Sequence, residues 1–211
     1  MPEHNELPTL DVSGPLPAPL VAIVGTRTPT ADAADAAFAV AKFLAKAGIG
    51  VVSGLALGID GAAHRGCIAG GGRTVAVLGH GLAMPVYPRE HRGLADVIVG
   101  RGALASPFPA DTPLSRKTLL ARNRWIAQLA CAVWVVQTGI PGGALAAAAQ
   151  ARHLGIPVLA TPWDDSRFHL GFLSLIGHGA EAVDVLSAAV RLQRLCKGSA
   201  AEQPAQGVLT L

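Results

Sequence analysis

Apolar residues along this chain gather in short unbroken runs: LVAIV at 20–24, IGVVS at 49–53, TVAVLG at 74–79, ALAS at 103–106, AVWVVQ at 132–137 and PVLAT at 157–161. A strand with one wet face alternates apolar and polar positions, whereas a strand buried on both faces is apolar throughout. The runs therefore predict a parallel sheet covered on both sides. What lies between them has helical period. Asp32 and Asp35 come early, Phe38, Ala41 and Leu44 share a face, Lys42 and Lys46 come late, and Gly48 follows. Acid first, base last and glycine after is the order that the helix dipole and the C-cap favour. Comparable patterns fill 60–69, 88–99, 117–130 and 143–154. Alternation of strand and helix predicts an α/β fold, a doubly wound, mostly parallel sheet with helices on both faces in the extended Rossmann-like manner. The proline-rich residues 1–18 and the polar residues 198–211 are expected to be flexible ends around one domain at 19–197.

Composition narrows the function. With 211 residues and 51% hydrophobic content the chain supplies one sizeable core. No apolar run approaches the roughly 18 residues of a membrane span, and the start lacks a basic segment leading into an apolar one, so a cytoplasmic protein is expected. Cys67, Cys131 and Cys196 show no CxxC spacing and are expected to be reduced thiols. The net charge is +3 but charged residues are only 15%, so any anion site must rest on a few placed arginines. Aromatics at 4% are too sparse for an aromatic base-stacking platform.

In doubly wound folds ligands bind beyond the carboxyl ends of the strands. That rule selects GTRTPT at 25–30, SGLALGID at 53–60, LGHGLAMPVYP at 78–88 and QTGIPGG at 137–143. In the first, Gly25 permits close approach, Thr26 offers a hydroxyl and Arg27 a forked donor beside a helix N-terminus, which suits a phosphate. The stretch is not GxGxxG and Ser53 ends the next strand where an acid would be wanted, so no dinucleotide cofactor is implied. In the second, Ser53 and Gly54 form a small pair at a strand end, and Asp60 is placed to cap the next helix. Arg122 falls on an apolar helical face with Leu119, Trp125, Ile126 and Leu129, so it needs either a buried acid such as Asp60 or a ligand phosphate. Arg124 lies on another face, and Lys117 extends the basic line. Gly142 and Gly143 open a helix and make a further anion seat. No metal-ligand cluster, paired carboxylates or Ser/His/Asp set stands out on these loops.

VAIVGTR (21–27), VVSGLALGIDGAAHRG (51–66), TVAVLGHGL (74–82), YPREH (87–91), RNRWIA (122–127) and LIGHGA (175–180), in this order, resemble the DNA-processing protein A family, DprA or Smf. The resemblance implies an extended Rossmann-like domain that binds single-stranded DNA in a basic pocket and forms a homodimer. It also implies delivery of incoming strands to a RecA-type recombinase in natural transformation, without catalysis. The implied pocket would use Gly25, Thr26, Arg27, Ser53, Gly54, Lys117, Arg122, Asn123, Arg124, Gly142 and Gly143, the glycines letting a sugar-phosphate backbone approach the sheet edge. The chain departs from the family pattern at Leu57, where Arg is usual, at Pro107 and Phe108, at Leu119 and Leu120, at Gln137 and Thr138, and at Gly142 and Ala144. These changes remove polar groups from the implied cleft. The core alone is expected, without the helical or winged-helix domains that many members add.

Two other readings share the fold. One is a nucleotide-binding sensor using the same pocket. The other is a nucleoside-monophosphate phosphoribohydrolase of the lysine-decarboxylase-like type, whose PGGxGTxxE motif is matched here only by Pro141, Gly142 and Gly143, with no Glu on the helix that follows. Trp163, Phe168, Phe172 and Leu173 are candidates either for a dimer interface or for the end of the core.

Overall fold

The computed structural model describes residues 10–17 and 19–202. Each apolar run becomes a strand of one eight-stranded sheet: β2 (Leu20–Val24), β3 (Gly50–Ser53), β4 (Thr74–Val77), β5 (Ala103–Ser106), β6 (Ala132–Val135) and β7 (Val158–Ala160). Two-residue strands, β1 (Asp11–Val12) and β8 (Glu181–Ala182), close the edges in the order β1-β5-β4-β3-β2-β6-β7-β8. All neighbours are parallel except β1, which runs antiparallel to β5. Asp11 and Val12 belong to the segment expected to be a flexible end, and pairing with Ser106 and Ala105 corrects that expectation for these two residues. Both are exposed and carry no apolar signature, so nothing local marked them as a strand.

Successive residues of β2 serve opposite faces. Val21 and Ile23 enter one core with α1 (Ala31–Lys46), α2 (Ile59–Ala69) and α8 (Val185–Glu202), while Leu20, Ala22 and Val24 enter the other. That second face is covered by α5 (Asn123–Gln128), α6 (Gly143–His153) and α7 (Ser166–Gly177). Two covered faces are why the strands read as continuous apolar runs. A 3-10 turn at Arg89–His91 leads into α3 (Arg92–Arg101), whose Ala95 and Ile98 pack with Leu55, Ala76 and Leu78. The single helix expected at 117–130 is instead α4 (Arg116–Ala121) and α5, meeting at Arg122. Helices α7 and α8 lie beyond the segments expected to be helical, and α8 carries the chain to Glu202. Among the described residues no helix is long and apolar enough to cross a membrane.

The cysteines correct the sequence reading. Only Cys67 is a free thiol, buried, with its pKa pushed up to about 11 by that burial. Cys131, just before β6, and Cys196, on α8, form a disulfide across 65 residues of sequence. The pairing depends on α8 lying against β6 and β2, so no spacing motif announces it.

The chain builds β2, β3, β4 and β5 outward in one direction, then returns to place β6 on the other side of β2. The switch point between β2 and β6 opens a crevice at their carboxyl ends, where such folds bind ligands.

Candidate functional site: a cleft at the switch point

The crevice holds a cavity of about 500 Å³. Its near wall is Val24, Gly25, Thr26 and Arg27, the turn from β2 to α1. The far wall is Thr138, Gly139, Pro141, Gly142 and Gly143, the turn from β6 to α6. Arg116, Leu119, Leu120, Arg122, Asn123 and Ile126 come from α4, α5 and their junction, with Ala56 and Asp60 beneath.

Thr30 caps α1 through its hydroxyl, which accepts from the Ala33 amide at 3.2 Å. Gln137 braces the two walls: its Oε1 accepts from the Thr30 amide at 2.9 Å and its Nε2 donates to Thr30 Oγ1 at 3.2 Å. Gln137 is 2% exposed, so this departure from the family pattern serves the frame of the cleft. α6 differs from α1 in that its N-cap, Gly142, offers no side chain to the first amides. Those amides and the positive end of the helix dipole face the cavity, an arrangement suited to an anion. Asn123 reaches the same place, its Nδ2 donating to the Gly143 carbonyl at 3.3 Å.

Arg122 is 6% exposed although it lines the cavity. Its Nη1 donates to the Val77 carbonyl at 2.5 Å, and its Nε has no partner. The residue stays charged because guanidinium deprotonation lies far above neutrality, even though burial and nearby Arg27 lower its pKa while Asp60 raises it. Asp60 was expected to cap α2, but the N-cap is Gly58 and Asp60 sits inside the first turn. Its Oδ2 accepts from the Gly54 amide at 3.1 Å and the Ala56 amide at 3.3 Å, folding the loop back over the helix start. Burial pushes the Asp60 carboxyl above its ordinary range, and the Arg122 charge and the two loop amides pull it back.

Of the residues expected at the site, Gly25, Thr26, Arg27, Arg122, Asn123, Gly142 and Gly143 come together around the cavity. Ser53 and Gly54 lie beneath it. The Ser53 hydroxyl donates to the Ile23 carbonyl at 2.6 Å, and a Cβ on Gly54 would overlap the Arg122 guanidinium. The bareness of Gly54 therefore admits a protein side chain and not a ligand backbone. Lys117 and Arg124 are exposed and stand outside the lining. Sequence reasoning missed Arg116, whose signal was available: Ser115 and Thr118 form a reciprocal capping box that starts the helix at Arg116. Further along, Phe168 is buried, Trp163 Nε1 donates to the Val136 carbonyl at 2.6 Å, Phe172 packs partly buried against the core, and Leu173 stays exposed.

Fold and site together define a Rossmann-like protein with an arginine-lined cleft at its topological switch point. Residues 9–193 match the family described as DNA recombination-mediator protein A, and the chain belongs to that family. It is 43% identical over 163 residues to a DNA processing protein DprA of Mycobacterium tuberculosis, covering 77% of this chain and 42% of that protein. The chain thus spans less than half of that relative's length. The X-ray structure of DNA processing protein A from Streptococcus pneumoniae superposes with a TM-score of 0.75 at 32% identity, covering 82% of this chain and 62% of that one. The protein from Helicobacter pylori, described for its single-stranded DNA binding mode, superposes with a TM-score of 0.79 at 26% identity, covering 88% and 86%.

Proposed function

We propose that this chain binds single-stranded DNA in the cleft between β2 and β6, as a non-catalytic DNA-processing protein. The observation that carries the reading is Arg122: a buried guanidinium, its Nε unpartnered, lining a cavity whose opposite wall is an uncapped helix N-terminus. Asp60 acts on this guanidinium as a counter-charge through space, while its carboxylate is held in place by two loop amides. A phosphate entering beside Arg27 and Arg116 meets a wall in which Asp60 is the one anionic group and the arginines are three. Family membership and the Helicobacter pylori relative support a strand as the bearer of that phosphate. Within the same reading the protein works in the cytoplasm as a homodimer and passes strands to a RecA-type recombinase in natural transformation.

Anisotropy titration of labelled oligo-dT over a salt series tests this. Arg27 and Arg116 are exposed, so Arg27→Ala with Arg116→Ala leaves the fold intact. The double variant is expected to bind more weakly and to lose about 1.4 from the log-log salt slope, about 0.7 per phosphate contact removed. An unchanged affinity and slope would sink the proposal. The cavity volume of about 500 Å³ also fits one small nucleotide, which favours a sensor as the second reading. Full displacement of the oligomer by AMP would select it.

A further inference from the structure

Among the described residues one non-glycine residue sits on left-handed backbone: Leu55, at φ +60°. A residue with a Cβ avoids that region, so its surroundings must keep Leu55 there. The Gly54 and Ala56 amides on either side both donate to Asp60 Oδ2, at 3.1 and 3.3 Å, which winds the loop around one carboxylate oxygen. Between them, the Leu55 carbonyl accepts from His91 Nδ1 at 2.9 Å.

His91 is 3% exposed and ends the 3-10 turn before α3. A carbonyl can only accept, so Nδ1 carries the ring proton. Nε2 is left as the acceptor, and Arg65 Nη2 stands 3.4 Å from it. The ring lies against Gly61 of α2, where a Cβ would overlap it. Tautomer and position are thus fixed from both sides.

What the held loop supports is Arg122. The guanidinium lies on Gly54, so close that a Cβ there would overlap Nη1, Nη2 and Cζ. Nη1 is tied to the Val77 carbonyl, and Nε has no partner. Asp60, which gathers the loop amides, is also the counter-charge that acts on this guanidinium. A turn of the Leu55 peptide would therefore disturb both the surface under Arg122 and the amides that hold Asp60. His91 itself is outside the cavity lining.

We propose that His91 is a positioning residue for the cleft: by holding the Leu55 carbonyl it fixes Gly54 and Asp60, and through them the orientation in which Arg122 meets an anion. The proposal rests on the strand-binding reading above and names a residue outside the cleft that sets its affinity.

Two substitutions divide the ring nitrogens between them. His91→Asn puts an amide N–H near the place of Nδ1, and His91→Gln puts one near the place of Nε2. Each is compared with the wild-type full chain by thermal melt, by oligo-dT titration over a salt series, and by the NMR resonance of the buried Arg122 Nε–H. His91→Gln is expected to lose affinity several-fold, to lose about 0.7 from the log-log salt slope, the share of one phosphate contact, and to shift the resonance. His91→Asn should restore all three. A side chain that merely filled space would lower the melting temperature in both variants and leave slope and resonance as they were. A folded His91→Gln with wild-type slope and resonance, or equal effects of the two variants, overturns the proposal. If His91→Gln does not fold, Arg65→Met, at an exposed position, frees the ring at Nε2 and should shift the same resonance to a smaller extent. An unchanged resonance there is equally fatal. Absence of oligo-dT binding by the wild-type chain overturns instead the strand-binding reading, and the resonance alone then decides whether His91 orients Arg122.

Discussion

The loop from Gly54 to Gly58 and the loop from Thr138 to Gly143 both lead from a strand's carboxyl end into a helix, and both are dense in glycine. The first is filled by the protein. Gly54 lies under the Arg122 guanidinium, and Gly58, at φ +75°, lies against the backbone of Thr26 and Arg27, whose turn it holds through the bond from the Ile59 amide to the Thr26 carbonyl. The second is filled at Gly142, where a Cβ would overlap Thr138 and the Gly139 carbonyl, and open at its end, where a Cβ on Gly143 would meet nothing within 4 Å. Glycine density alone therefore does not mark a ligand seat. What a Cβ would touch at each position separates a glycine that makes room for the chain from one that leaves room for something else.

The largest effect that tests this contrast is on the filled loop. Gly58→Ala combines a left-handed backbone with overlap on the Thr26 carbonyl, neither relieved by a side-chain rotation. It should cost about 3 kcal/mol of unfolding free energy or more, read by urea denaturation. A loss below about 1 kcal/mol would mean that the loop is not packed as described.

The disulfide extends the comparison along β6. Cys131 precedes the strand and is tied to α8, while the Thr138–Gly143 loop follows it, so one end of β6 is stapled and the other faces the cleft. Closing 65 residues of sequence corresponds to about 2–4 kcal/mol of stability. Denaturation with and without a thiol reductant should show that loss, with oligo-dT affinity unchanged below the unfolding transition. A matching fall in affinity would show that the two ends of β6 are coupled.

A third effect belongs to the filled side alone. The Thr74 hydroxyl donates to the Val51 carbonyl at 2.8 Å, so His64 Nδ1, 2.7 Å from Thr74 Oγ1, must be the donor there. Nε2 is then a bare, buried lone pair without a partner. Burial, reinforced by His91, Arg122 and Arg65, lowers the His64 pKa to about 3. The unfolded chain therefore takes up a proton near its usual pKa of about 6.5 while the folded chain does not, and stability falls as pH drops through that value. Between pH 7 and pH 5 the loss from this group should be about 2 kcal/mol. Asp60, held above its ordinary range, acts in the opposite sense, so the informative quantity is the difference between wild type and His64→Gln at each pH. A constant difference would remove His64 as the cause.

Much of the fold was legible because a strand covered on both faces writes its burial into a few adjacent residues. That holds for β2 through β7. β1 and β8 have two exposed residues each and leave no such trace. The bend at Arg122 escaped because helical period reports a face and not where the axis breaks. Lys117 and Arg124, which the family resemblance put in the pocket, are exposed and outside the cavity lining. The disulfide was hidden because it depends on where α8 packs. Thr26, Arg27 and the Gly142–Gly143 pair could be placed at the cavity wall because strand ends and helix starts are local features, whereas Asn123 came only from the family resemblance. Gly54 was misread because its neighbour, Arg122, is distant in sequence.

The smallest expected effect is the most discriminating. Gly143 is exposed, opens α6 and has nothing near its missing Cβ, so Gly143→Ala should leave stability unchanged or raise it by up to about 1 kcal/mol, a rise of up to about 4 °C in melting temperature. The amide that would hold a phosphate is kept, and the helix dipole is not altered. Only the space changes. If a phosphate approaches this turn closely, the added methyl stands in its way, and oligo-dT affinity should fall several-fold while the melting temperature holds or rises. Because Gly58→Ala would reduce binding by unfolding the frame, the two substitutions separate a glycine that builds the cleft from one that leaves it vacant. Undiminished affinity in Gly143→Ala would place the phosphate on the arginines alone and leave the α6 terminus out of the site.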